Sequence, residues 1–310
     1  MKRYLLAAFV LLLGTSAAFA SALGTSARTV IPSQIQQVIS VDYRALRNSP
    51  TALALKDRVL PDNLKEFETQ LKQLGLADDD IEQLTFASFR IKDNSLRSVG
   101  IAQGQFPTKK ILAKMKLKKI SGTKYHQEYL YPMNNGMEMS FIDNYTLLFG
   151  DVSAVKAALD ARDGYAESLN SNGQMTDMIN AVQEGAVWSV LDQKGTQNML
   201  RSTLGDAAQL GDFETVKKRL LGSRYTMDFN DGVDFNLDVV TSDSFTASTL
   251  SSLIKAGVLF RKMNANATEK LALDSVTIDS NSSLLTLKFK TDDSKFQSLL
   301  HSDLFTAVSR

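Results

Sequence analysis

The chain has 310 residues, 44% apolar, 22% charged and 8% aromatic, with a formal net charge of +1. That balance excludes disorder, collagen and a whole-chain coiled coil, and the charge gives no global basis for nucleic-acid binding. Cysteine is absent, which excludes a disulfide scaffold, a thiolate zinc site and a cysteine nucleophile.

The N-terminus reads as an address. Lys2 and Arg3 give a basic start, Tyr4 to Leu13 an apolar run, and small residues lead to Ala18-Phe19-Ala20. This is the three-part pattern of a secretory signal cleaved after Ala20. The run is too short for a membrane span, which needs roughly 20 residues, and no later stretch is apolar enough to make one. The protein is therefore expected to be exported, periplasmic or secreted. A flexible segment, 21–31, follows the signal.

The rest reads as one unit used twice, at 32–162 and 186–310, with a linker at 163–185. In the first unit Val38 to Asp42 is a β-branched run suited to a buried strand. Phe67, Leu71 and Leu74 share a helix face over 64–74, and Gly75 ends that helix. Strands are predicted at 84–91 and 96–106, a helix at 108–117, further strand over 124–149, and a helix at 152–161.

The linker is rich in Asn, Ser and Gly and carries a short helix with Met175, Met178, Ile179 and Val182 on one face. The second unit opens with Val187-Trp188-Ser189-Val190-Leu191-Asp192, where Trp188 is a core residue by its setting. Phe213-Glu214-Thr215 leads a helix expected to end at Gly222, as Phe67-Glu68-Thr69 leads the helix that ends at Gly75. Phe106 and Phe245 correspond, as do Thr146-Leu147-x-Phe149 and Thr286-Leu287-x-Phe289. Four markers in one order, with a slowly drifting offset, point to an internal duplication.

Met227 and Phe229 alternate with polar residues, as do Val233, Phe235, Leu237 and Val239. Asn230-Asp231-Gly232 fits a three-residue hairpin loop. That register pairs Met227 with Phe235 on one face and Arg224 with Asp238 on the other. Val276, Ile278, Leu285, Leu287 and Phe289 repeat the one-sided pattern. The fold class is α+β: two similar domains, each an antiparallel sheet with helices on one face.

Sequence signatures of catalysis are scarce. The chain has no G-x-S-x-G, P-loop, H-E-x-x-H or dinucleotide glycine loop. His126 and His301 stand in different units and read as surface or strand residues. Ser-x-x-Lys occurs at Ser121–Lys124, Ser153–Lys156 and Ser252–Lys255, without the companion motifs of penicillin-binding enzymes. Asp228 faces Asp234 in the hairpin, where either solvent or a cation could relieve the repulsion. No cofactor and no metal site is expected.

The most uneven stretch is 90–124, with ten basic residues against the single acid Asp93. Lys109, Lys110, Lys114, Lys116, Lys118, Lys119 and Lys124 lie in it, and Tyr125, Tyr129 and Tyr131 follow, expected on one strand face. Lysines beside aromatic rings suit an anionic or saccharide polymer. Against this, lysines on an amphipathic helix are commonly just solvated. The upstream acids Asp62, Glu66, Glu68, Asp78, Asp79, Asp80 and Glu82 are also available to neutralise them.

Ile31-Pro32-Ser33 leading into 38–46, and Leu148-Phe149-Gly150-Asp151 followed by 154–160, resemble exported bacterial proteins of a domain-of-unknown-function class. The resemblance implies an envelope or secreted location and repeated β/α units, and it carries no active-site residues. The expectation is an exported, non-catalytic envelope protein with a binding or structural role. Its partner would be an anionic envelope polymer or an envelope protein. The alternatives are an envelope hydrolase with a Ser-Lys or carboxylate site, and a small-ligand carrier.

Overall fold

The structure, a computed structural model, describes residues 23–59, 62–182, 185–204 and 213–302. The expected signal peptide lies outside the described residues. The first half runs α1 (Thr25–Val30), β1 (Ile35–Asp42), α2 (Tyr43–Arg47), α3 (Pro50–Val59), α4 (Asp62–Leu74), β2 (Ile81–Arg90) and β3 (Leu96–Gly104). It continues through α5 (Thr108–Leu117), β4 (Thr123–Tyr125), β5 (Glu128–Pro132), β6 (Met137–Phe141), β7 (Thr146–Asp151) and α6 (Val152–Arg162). The second half runs α7 (Gly173–Asn180), β8 (Val187–Leu191), α8 (Gln193–Leu204), α9 (Phe213–Lys218), β9 (Leu220–Asp228) and β10 (Val233–Thr241). It ends with α10 (Ser244–Asn264), α11 (Ala267–Asp274), β11 (Val276–Asn281), β12 (Leu284–Thr291) and α12 (Asp293–Leu300).

The class is α+β with an antiparallel sheet, as the alternating strands predict. One detail that the alternation leaves open, whether the two sheets join, is seen here, and one detail differs. The strands form one sheet, in the order β11-β12-β10-β9-β8-β1-β2-β3-β7-β6-β5-β4, joined where β1 pairs with β8. The order β1-β2-β3-β7-β6 on one side of that seam matches β8-β9-β10-β12-β11 on the other.

The difference is that the centre of the sheet is covered on both faces. Leu84 and Phe86 of β2 join a core with Phe67 of α4 and Ile111 of α5, while Ala87 and Phe89 join another on the opposite face. The second core takes Ala27 from α1, Ala154, Val155, Ala158 and Leu159 from α6, Met175 from α7, and Trp188 and Val190 from β8. A strand buried on both faces has no polar alternation to reveal its second neighbour. Beyond the seam the expected single face holds, except where α7 reaches Gly222 of β9. Leu237, Val239 and Leu285 pack under α8, α9 and α10, and Arg224 and Asp238 face away from them.

Two local expectations, the flexible 21–31 segment and the helix end at Gly222, are corrected. Residues 21–31 are expected to be flexible, but from Leu23 onward they pack into the core, with Ala27, Val30 and Ile31 at most 1% exposed. The expected linker holds its short helix at α7, and Met175, Met178 and Ile179 bury against the sheet. Gly222 lies inside β9, not at a helix end, and a Cβ there would sit 2.6 Å from Met178 Sδ and 2.9 Å from the Leu191 carbonyl oxygen. The glycine serves close packing of α7 on the sheet. The β9–β10 hairpin has the predicted register, with Met227 opposite Phe235 and positive φ at Asp231 and Gly232.

Candidate functional site

The lysine-rich segment folds as α5 and the turn after it. Ile111 and Met115 are buried one helical turn apart, which fixes the inward face. Lys109, Lys110, Lys114, Lys116, Lys118 and Lys119 are exposed, as is Lys124 on β4. Among the described residues none of these seven lysines forms an ion pair. Lys114 lies against Gly75 at the C-terminal end of α4, where free carbonyls favour a cation.

The upstream acids do not neutralise this surface. Glu68 takes Lys56 and Lys72, Asp78 takes Lys72, Asp79 takes Arg47, Glu82 takes Arg44 and Asp62 takes Lys65. Glu66 instead accepts from the Asn135 amide, and Asp80 caps the short turn before β2 by accepting from the Ala77 backbone N–H.

The three tyrosines do not share a face. Tyr125 ends β4 and Tyr129 lies on β5, and His126-Gln127 is the turn between them. Tyr129 and Tyr131 lie together, with centroids 6.4 Å apart, against Gly122 and on the α5 side of the sheet. Lys124 stands opposite Tyr129. Tyr125 packs instead on the other face, beside the core that holds α6. The chain reverses at a turn without Gly, Asn or Pro, so sequence alone reads one continuous strand there. The assembled surface is thus the seven lysines with Tyr129 and Tyr131.

The other motif residues have local partners. Lys156 Nζ lies 5.2 Å over the Tyr125 ring and makes no hydrogen bond to Ser153. Ser252 Oγ donates to the Ser248 carbonyl at 3.1 Å. Asp228 and Asp234 do face each other, but Asp228 accepts from the Ala186 N–H at 2.8 Å and Asp234 pairs with Lys290 at 3.2 Å. Among the described residues no group of three or more carboxylates and histidines is placed to hold a metal ion.

The structure also shows a charged cleft that the sequence does not announce. Tyr43, Lys56, Lys65, Glu68, Lys72 and Asp78 line a cavity of about 410 Å³ between α2, α3 and α4. Lys56 Nζ donates to Glu68 at 2.9 Å and to the Tyr43 hydroxyl at 3.2 Å. Burial pushes the Tyr43 phenol up, with the Glu68 charge adding to it. Burial opposes the Glu68 charge, yet the hydrogen bonds from Lys56 and Lys72 hold its carboxyl below the usual range. The one sequence signal here is the four-residue spacing of Glu68 and Lys72. Lys56, Lys65, Glu68, Lys72 and Asp78 each have an oppositely charged partner, so the cleft reads as a tie between helices.

Among the described residues no helix is long and apolar enough to cross a membrane. No protein-family model matches the chain, and no curated protein sequence matches it. The fold itself is similar to solved structures of the Treponema protein TP0453. Crystal form I superposes with a TM-score of 0.50 at 11% identity, covering 92% of this chain and 99% of that one. Crystal form III gives 0.51 at 10% identity, covering 88% and 96%. At such identity the likeness concerns the α+β fold and not the residues of a site.

Proposed function

We propose that the protein is exported, acts by binding and not by catalysis, and uses the α5 surface to hold an anionic polymer of the cell envelope. One observation carries this reading. Seven lysines are exposed on one side of the sheet with no carboxylate partner among the described residues, while the nearby acids are engaged elsewhere. Uncompensated like charges repel one another, and a polyanion relieves that repulsion. Tyr129, 49% exposed, adds a ring face at the edge of the same surface. Lysine in place of arginine means point-charge attraction without bidentate recognition, so binding is sensitive to salt.

Export rests on the N-terminal pattern, and the test is the N-terminal sequence of the mature chain, expected to begin at Ser21. The duplication is supported by the matching strand orders on the two sides of the seam. Phe67 and Phe213 fall on the equivalent helices α4 and α9, and Thr146 and Thr286 on the equivalent strands β7 and β12.

The binding test uses residues 21–310 on immobilised dextran sulfate at rising salt, beside a variant with Lys109, Lys110, Lys114, Lys116, Lys118 and Lys119 changed to Gln. Retention that falls with salt and is lost in the variant supports the reading. No retention of the wild type at low salt overturns it.

A further inference from the structure

On the sheet face opposite the lysines, the β4–β5 turn meets the C-terminal end of α6. His126 and Gln127 form the two-residue loop between Tyr125 and Glu128. His126 has φ 52°, in a loop of the kind that ordinarily takes glycine or asparagine. A non-glycine residue held in the left-handed region of so short a loop points to a use for its side chain.

The imidazole is fixed from three directions. Nε2 lies 2.9 Å from Asp160 Oδ1 of α6. The Tyr165 ring stacks on it with centroids 4.5 Å apart and planes 15° apart, and the Tyr125 ring meets it at 4.2 Å and 61°. The Tyr125 hydroxyl donates to the same Asp160 oxygen at 2.8 Å. Burial, with that carboxylate, pushes the Tyr125 phenol up to about 12, so it stays a donor. Tyr165 is held in turn by its own N–H, which donates to the Asp160 carbonyl at 2.9 Å. Arg162 ties the two elements together, donating to Glu128 at 2.8 Å and to Asp163 at 2.7 Å.

The result is a rigid aromatic platform with one face free. Tyr165 is 71% exposed although one side of its ring is covered by His126. His126, Gln127, Asp163 and Tyr165 line a cleft of about 370 Å³ beside it. The Gln127 amide has no hydrogen-bond partner among the described residues. The Asp160 and Asp163 bonds described above all fall on Oδ1, so each second carboxylate oxygen keeps its acceptor capacity.

We propose that this cleft binds a β-linked oligosaccharide of gluco-configured pyranoses. Such rings carry their hydroxyls equatorially. Their axial C–H groups therefore form a flat apolar face that suits an exposed tyrosine ring. The planar amide and carboxylates then meet the equatorial hydroxyls at the ring edge. Asp163 already accepts from Arg162, and Asp160 from Tyr125 and His126, so the site favours a neutral ligand over a strongly charged one. Because the platform is already held rigid, binding orders few protein groups. The site is separate from the lysine surface, and neither depends on the other.

The test titrates chitohexaose and cellohexaose into the full chain labelled with 15N. The expected result is saturable shifts at Gln127, Asp163 and Tyr165 with one or both sugars. Tyr165→Ala should weaken binding about tenfold or more, which is ~1.4 kcal/mol. Tyr165→Phe, which keeps the ring, should bind as the wild type does. The six-lysine variant should also bind normally, which separates this site from the polyanion surface. Absence of saturable shifts with both sugars overturns the proposal, as does unchanged affinity in Tyr165→Ala. Loss in Tyr165→Phe equal to that in Tyr165→Ala overturns its stacking basis.

Discussion

Val38 of β1 lies opposite Val190 of β8, and both side chains are fully buried. That pair sits at the seam of the sheet. The core around it draws on β1, β2, β3 and α6 from one half and on α7 and β8 from the other. The two halves share this core, so they should unfold together. Trp188, 3% exposed in the same cluster, is the sharpest probe. Trp188→Ala should cost about 3–5 kcal/mol, the usual range for removing a large core aromatic. Urea unfolding followed by circular dichroism should show one transition in both proteins, displaced to lower urea in the variant. Two resolved transitions in the wild type would contradict a shared core.

Gly222 tests how closely α7 approaches the sheet. An added Cβ would meet Met178 Sδ, the Met178 methyl at 2.7 Å and the Leu191 carbonyl oxygen. The thioether can move aside, but the strand carbonyl cannot. Gly222→Ala should therefore destabilise by about 1–3 kcal/mol, as overpacking does. Gly173→Ala is the control, since nothing lies within 4 Å of its Cβ position. A midpoint for Gly222→Ala equal to that of the control would mean α7 sits further from β9 than described.

The sheet shows where sequence reasoning works and where it stops. The β9–β10 hairpin was legible because one face is wet. Alternation from Met227 to Val239 sets the register, and Asn230-Asp231-Gly232 supplies the turn. The β1–β8 pairing was not legible. Both strands are covered on two faces, and nothing local names a partner so distant in the chain. Gly222 reads as a helix end because a glycine after a short helix resembles one, although it lies inside β9. At the lysine surface, the four-residue spacing of Ile111 and Met115 is enough to set the inward face of α5, whereas the reversal at His126-Gln127 carries no turn residue. His126 and Asp160 come together only through that reversal. So the platform they form with Tyr165 was invisible in the sequence, where each residue looked ordinary.

Arg224 and Asp238 face each other across β9 and β10 on the wet side, with Arg224 Nη2 3.0 Å from Asp238 Oδ2. Thr286 of β12 donates to the other Asp238 oxygen at 2.8 Å. The side chains are 24% and 13% exposed, between the limits of a surface pair and a buried one. Exposed pairs contribute about 0–1 kcal/mol, and breaking a buried pair costs about 3–5. Arg224→Ala should therefore cost about 1–2 kcal/mol, mostly by leaving Asp238 with Thr286 alone. A double-mutant cycle with Asp238→Asn should return part of that loss. A coupling energy of zero would show that solvent, and not Arg224, balances Asp238.

Glu68 makes the stability of the helical layer depend on pH. Its carboxylate accepts from Lys56 at 2.9 Å and pairs with Lys72 at 3.1 Å, while the Tyr43 hydroxyl donates to it at 3.3 Å. Burial works against the charge, but the two ammonium groups outweigh it and hold the carboxyl below its ordinary value. A group whose value is lower in the folded chain stabilises the fold above the ordinary carboxylate range. That contribution is lost as pH falls through the depressed value. Lys56 and Lys72 set the opposite limit. Burial lowers each, yet Glu68 raises both beyond that, so their share persists below the ordinary lysine value and is lost as pH rises through the raised one. Glu68→Gln should therefore be less stable than the wild type across neutral pH. The difference should shrink toward strong acid, where both carry a neutral side chain at this position, and again toward strong alkali. Because the cluster is partly open to water, the difference should be modest and should fall with added salt. Urea midpoints for both proteins across that pH range are the measurement. A gap that stays constant from acid to alkali would place the role of Glu68 in packing and not in its charge.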